Sequence, residues 1–146
     1  MTQMGQECIF CQIIRKKLPA SIVYEDKQVD AFLSNRPVNE GHTLVAPKKH
    51  YENIFEIPEE EAAYLFRVTK HVAEAVRHAL LAEGIRIVQN NGRAAGQVVF
   101  HLHVHVIPMK PNDGFIHGKA FREHANSRDS EELQKDANKI MQHLKP

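Results

Sequence analysis

His101-Leu102-His103-Val104-His105-Val106-Ile107 is the most informative stretch of this 146-residue chain. Successive side chains on a strand point to opposite faces, so an extended reading sends His101, His103 and His105 to one side. Phe100, Leu102, Val104 and Val106 then face the other way and supply continuous apolar surface for a core. Neighbouring imidazoles on such a face stand about 6.5–7 Å apart along the strand. With a reference pKa of about 6.5, each can act at neutral pH as nucleophile, base, acid or metal ligand. The residues alone leave three readings open. One is a histidine-rich strand with ordinary hydrogen bonds, another a zinc site built on histidines at i and i+2, and the third covalent catalysis by one imidazole.

Working outward, Gly96 precedes residues 98–107, which read as the strongest strand, with Pro108 as its terminator. Residues 85–89 read as another strand and Asn90-Asn91-Gly92 as a turn. Pro58 followed by Glu59, Glu60 and Glu61 starts a helix, with acid against the N-terminal dipole. Leu65, Phe66, Thr69, Val72, Ala73, Val76 and Leu80 keep its apolar stripe, and Gly84 stops it. Near the N-terminus, Ile9, Phe10, Ile13 and Ile14 predict a helix over 9–17 that Pro19 ends. Residues 22–24 and 29–33 form a hairpin pattern, and 42–46 a third strand stopped by Pro47. Residues 130–144 predict a last helix capped by Ser130. No internal repeat is visible. The fold class expected is α+β: an antiparallel sheet with one long helix and a short N-terminal helix.

Composition narrows the function classes. An apolar fraction of 42% and a charged fraction of 25% suit one globular domain with a real core. Nineteen basic against 18 acidic residues leave a net charge of +1, so no bulk field draws the chain to nucleic acid or to an anionic membrane. No run approaches the roughly 20 apolar residues of a membrane span, and the first residues lack the basic and apolar regions of a signal peptide. A soluble, cytoplasmic protein is expected. In such a reducing setting Cys8-x-x-Cys11 points to metal binding or redox chemistry, and it supplies half of a tetrahedral zinc site.

Cys8-Ile-Phe-Cys11, Val23-Tyr-Glu-Asp26, Gly41-His-Thr-Leu-Val45, Pro47-Lys-Lys-His50, Asn90, Gly96-Gln97 and the histidine stretch follow one another in order. Together they resemble the histidine triad superfamily of nucleotide-binding hydrolases and transferases, over about residues 8–108. The likeness is greatest to the Hint-type branch with its added Cys-x-x-Cys. It implies a HIT-like catalytic domain over residues 1–110, with 111–146 as a C-terminal extension of the same domain. The resemblance makes His103 the nucleophile toward the α-phosphorus of a purine nucleoside phosphoramidate or dinucleoside polyphosphate, through a nucleotidyl-histidine intermediate. His105 would donate to a phosphoryl oxygen, and His42 would complete the network around phosphate and leaving group. Asn90 and the backbone at Gly96 and Gln97 correspond to phosphate-side contacts. Phe10, Ile13, Phe32, Leu44 and Val99 correspond to the lining of a purine pocket.

The same resemblance implies a structural zinc on Cys8, Cys11, His50 and His101, since four protein ligands leave no open position. It also implies a homodimer joined through the long helix and the last strand, with Thr69, Val72 and Val76 available to that face as well as to the core. Two positions depart from the family. Ser34 stands where an aspartate often accepts the ribose hydroxyls, and Val98 where a serine or threonine follows Gly-Gln. Two other functions remain as alternatives: a nucleotide-binding sensing or adaptor module with little turnover, and a zinc-dependent hydrolase. His117, His124 and His143 of the tail are expected to be solvated.

Overall fold

The computed structural model describes residues 8–111, 113 and 128–145. Five strands form one antiparallel sheet in the order β1-β2-β3-β5-β4, where β1 is Ile22–Glu25, β2 Val29–Leu33, β3 Thr43–Pro47, β4 Gly84–Val88 and β5 Val104–Met109. Among the described residues three α-helices accompany it, α1 (Ile9–Ile14), α2 (Glu59–Leu80) and α3 (Ser130–Met141), with a short 3-10 turn at Arg93–Ala95. One sheet face packs on α2 and α3. Val29, Ala31, Leu33, Val45, Val104 and Val106 meet Leu65, Val72, Val76, Leu133, Ala137 and Ile140 there in a single buried core. The opposite face carries Phe32 and Leu44, packed with Phe10 and the two cysteines of the α1 segment. No described helix is long and apolar enough to cross a membrane.

The principal revision to the sequence reading lies in residues 98–107. Only Val104 onward is a strand; residues 98–103 are bends and extended coil. The β3–β5 register pairs Val45 with Val104, which places Pro47 opposite Leu102. Proline has no N–H to give the ladder. The Leu102 N–H instead donates to the Tyr51 carbonyl at 2.7 Å, and the chain leaves the sheet. Phe100 accordingly stays half-buried outside the core and takes the Arg93 guanidinium 5.2 Å from its ring centre. Pro108 does not terminate β5, which runs on to Met109. It pairs with Ile85 beyond the end of β3, whose register stops at Thr43 opposite Val106.

Helix ends also differ from expectation. α1 stops at Ile14, before a left-handed Lys16 and well short of Pro19. α2 ends on Leu81 in the left-handed region, with Gly84 already opening β4. Asp129, not Ser130, caps α3, in a reciprocal capping box with Glu132. Thr69, Val72 and Val76 are all buried in the chain's own core, and β5 lies inside the sheet, which leaves β4 as its edge on that side. His143 is exposed, whereas His117 and His124 lie outside the described residues.

Candidate active site

Register brings the polar residues together. Phe32, Leu44 and His105 are partners across β2, β3 and β5, so their side chains share the face that carries α1. His103 follows on the same side, its ring centre 5.0 Å from that of Phe10 and 4.9 Å from that of His105. The alternation read from the sequence therefore survives the loss of regular strand geometry. A cavity of about 1010 Å³ opens over this face. His42, His103, His105, Asn90, Gly96, Ser34 and Val98 line it, with Phe10, Ile13, Phe32, Leu44 and Val99 as its apolar wall.

The hydrogen bonds fix where the protons sit. His103 Nδ1 lies 2.6 Å from the His101 carbonyl oxygen, which can only accept, so Nδ1 carries the hydrogen and Nε2 keeps its lone pair. Burial holds this imidazole below its ordinary pKa, against the opposing pull of the His101 carbonyl. It is neutral at pH 7. The Val38 N–H donates to His42 Nδ1 at 3.0 Å, so a neutral His42 is protonated on Nε2. That Nε2 lies 3.0 Å from His105 Nδ1 and donates to it, which places the proton of His105 on Nε2. Burial, then the neighbouring His103 and His42, hold His105 down to about 3. The row thus offers a lone pair on His103 beside a fixed donor on His105.

One position behaves differently from the set named above. Gln97 does not line the cavity. Its side chain is buried, accepting the Gly92 N–H at 2.7 Å and donating to the Glu52 and Val99 carbonyls at 2.7 and 3.1 Å. It clamps the loop that carries Gly96, whose φ of 96° is a conformation glycine adopts without strain. The cavity also reaches residues that sequence reasoning left out: Arg36, Arg128, Ser130, Leu133 and Gln134. The last four stand in or beside the first turn of α3. The amphipathic pattern of α3 marks a helix but carries no information about where it docks.

Next to the row, the four candidate metal ligands converge, their donor atoms all within 4.8 Å of one another. Cys8 Sγ lies 3.3 Å from His101 Nδ1, Cys11 Sγ lies 3.4 Å from His50 Nδ1 and 3.6 Å from His101 Nδ1, and the two Nδ1 atoms are 3.2 Å apart. A tetrahedron with Zn–S of about 2.3 Å and Zn–N of about 2.05 Å has S···N edges near ~3.6 Å and N···N edges near ~3.3 Å. These four separations match such edges. His101 Nε2–H donates to the Pro47 carbonyl at 2.8 Å, which turns its Nδ1 lone pair toward the thiols. Burial lowers His50 and holds His101 down to about 4, and the neutral imidazole is the form that binds metal.

The HIT domain family model matches residues 15–112. An uncharacterized HIT-like protein of Methanocaldococcus jannaschii is 50% identical over 109 residues, 75% of this chain and 84% of that protein. The adenylylsulfatase HINT3 of Arabidopsis thaliana is 35% identical over 131 residues, 90% of this chain and 66% of that protein. A crystal structure of a Zn-bound histidine triad family protein from Mycobacterium smegmatis superposes with a TM-score of 0.79 at 33% identity, covering 94% of this chain and 93% of that one. With the family model spanning two thirds of its length and these likenesses beside it, the chain belongs to the HIT domain family.

Proposed function

We propose that this protein is a nucleotide hydrolase or nucleotidyl transferase that cleaves at the α-phosphate of purine nucleoside phosphoramidates or dinucleoside polyphosphates. A hydrolase is what the family's named members support; the substrate and the step are our reading. His103 Nε2 attacks phosphorus, and the leaving group departs with the bonding pair and takes up a proton. Water then cleaves the phosphorus–nitrogen bond and restores the imidazole. His105 Nε2–H donates to the phosphoryl oxygen on which charge develops, and His42 holds that donor in place. Phe10, Ile13, Phe32, Leu44 and Val99 bury the purine, Asn90 and Gly96 face the phosphate, Gln97 holds their loop, and Ser34 stands at the ribose. The observation that carries the reading is the 2.6 Å bond that locks the His103 proton on Nδ1 and leaves Nε2 as the nucleophile.

Cys8, Cys11, His50 and His101 would hold a structural zinc that pins α1 to the residues before β5. Four protein ligands leave no position for an activated water, so the chemistry stays with His103. Reduced thiols of this kind suit the cytoplasm. The test is turnover of a fluorogenic adenosine phosphoramidate by zinc-loaded protein and its His103→Ala variant. Wild type should turn over, and the variant should lose about 10³-fold or more while still binding AMP. AMP binding without wild-type turnover would instead establish a sensing module.

A further inference from the structure

We propose that the cleft accepts a phosphate esterified to a ribose hydroxyl, so that 2′- or 3′-phosphorylated nucleotides are its preferred class of ligand; this rests on the nucleotide reading above. The cavity does not end at the apolar wall. Its lining also includes Ser34, Arg36 and, beside α3, Arg128. The Ser34 N–H donates to the His42 carbonyl at 2.9 Å, which seats Ser34 one residue beyond β2 and next to the histidine row. Its hydroxyl accepts the Arg36 N–H at 3.2 Å.

A ribose with two free hydroxyls calls for an acceptor, and a carboxylate is the strong one. The cleft lining has a neutral hydroxyl, that of Ser34, and two guanidinium groups instead. Dinucleotide-binding folds make the same exchange, an acidic residue for a ribose hydroxyl and an arginine for a ribose phosphate. Arg128 is pre-oriented, because Nε and Nη2 donate to the two Asp136 oxygens at 2.7 and 2.9 Å while Nη1 takes no part in that pair. The other acids around it are engaged as well. Glu40 lies between Arg128 and Lys139 at 3.9 and 3.8 Å, and Glu132 accepts the Asp129 N–H. Among the described residues Arg36 makes no ion pair. A phosphate dianion held in this cavity would have two guanidinium groups, Arg36 and Arg128, in its lining to pair with.

Calorimetric titration of the zinc-loaded wild type with AMP, adenosine 2′,5′-bisphosphate and adenosine 3′,5′-bisphosphate tests this directly. At about 50 mM salt, one bisphosphate should bind about tenfold or more tightly than AMP, with the advantage shrinking as salt screens the pair. Arg36→Ala should cut that ratio severalfold, and Ser34→Asp should reverse it by restoring a carboxylate. AMP binding with no bisphosphate advantage overturns this proposal alone. Failure of all three ligands to bind overturns it together with the nucleotide reading.

Discussion

Asp30 is fully buried on β2, on the face that carries Phe32, and neither carboxylate oxygen has a hydrogen-bond donor among the described residues. Lys48 Nζ stays 3.9 Å away and is shared with Glu25 at 3.0 Å. Burial, then the Glu25 charge, push the carboxyl up to about 6. The folded value exceeds the unfolded one, so this group's contribution to stability is complete below about 4 and is lost as pH rises through 6. Asp30→Asn removes the buried charge at nearly constant volume. It is expected to stabilise the fold by about 1–2 kcal/mol at pH 8 and by much less at pH 4, read from denaturant midpoints at the two values. The sequence alone suggested no such strain, because an alternating strand pattern does not show that both faces of β2 are covered. The histidines were legible at this scale because residue type and period 2 suffice to place them. The clamping role of Gln97 was not, since it depends on Gly92, Glu52 and Val99 folding back around one amide.

At the scale of elements, the CxxC segment and the coil before β5 are separate pieces of chain that meet at the Cys8, Cys11, His50 and His101 cluster, in the ring contacts of Phe10 with His101 and His103, and in the packing of Val99 on the α1 side. α1 is six residues long and caps itself with the Cys8 sulfur, which accepts the Cys11 N–H at 3.2 Å. A helix this short has little stability of its own. If zinc is the fastener, stripping it with a chelator should lower the melting temperature by on the order of 10 °C, given about 4 kcal/mol from an ion at a thousandfold over its dissociation constant. Re-addition should restore it, and Cys11→Ser should melt near the stripped value with or without zinc. A melting curve indifferent to chelator would show that the cluster holds no stabilising ion. The strands and the long helix could be read from periodicity. The early departure of residues 98–103 could not, because it arises from the register that sets Pro47 against Leu102, and register is a property of two strands.

For the whole molecule, α3 adds Leu133, Ala137 and Ile140 to the core shared by the sheet and α2. Among the described residues β4 is the sheet edge on the β5 side, and Ile87 on it, Phe66 on α2 and Leu81 at the end of α2 are exposed apolar side chains. A homodimer formed along that edge would cover both backbone and side chains, the usual remedy for an open edge. Light scattering should give twice the mass of the chain, and Ile87→Lys should give the mass of one; a wild-type monomer at micromolar concentration would contradict the dimer. Which strand forms the edge is invisible to sequence order: the family resemblance implied the last strand at the dimer face, and the sheet instead places β5 inside and β4 at the edge. The chemistry proposed for the molecule nevertheless comes down to one nitrogen, and the most direct measurement is the intact mass of protein quenched in acid-free denaturant milliseconds after mixing with an adenosine phosphoramidate. The account predicts a transient gain of one adenylyl group, localised by fragmentation to His103 and absent from His103→Ala. Steady turnover with no such adduct, and with oxygen from labelled water arriving at phosphorus in a single inverting displacement, would contradict it.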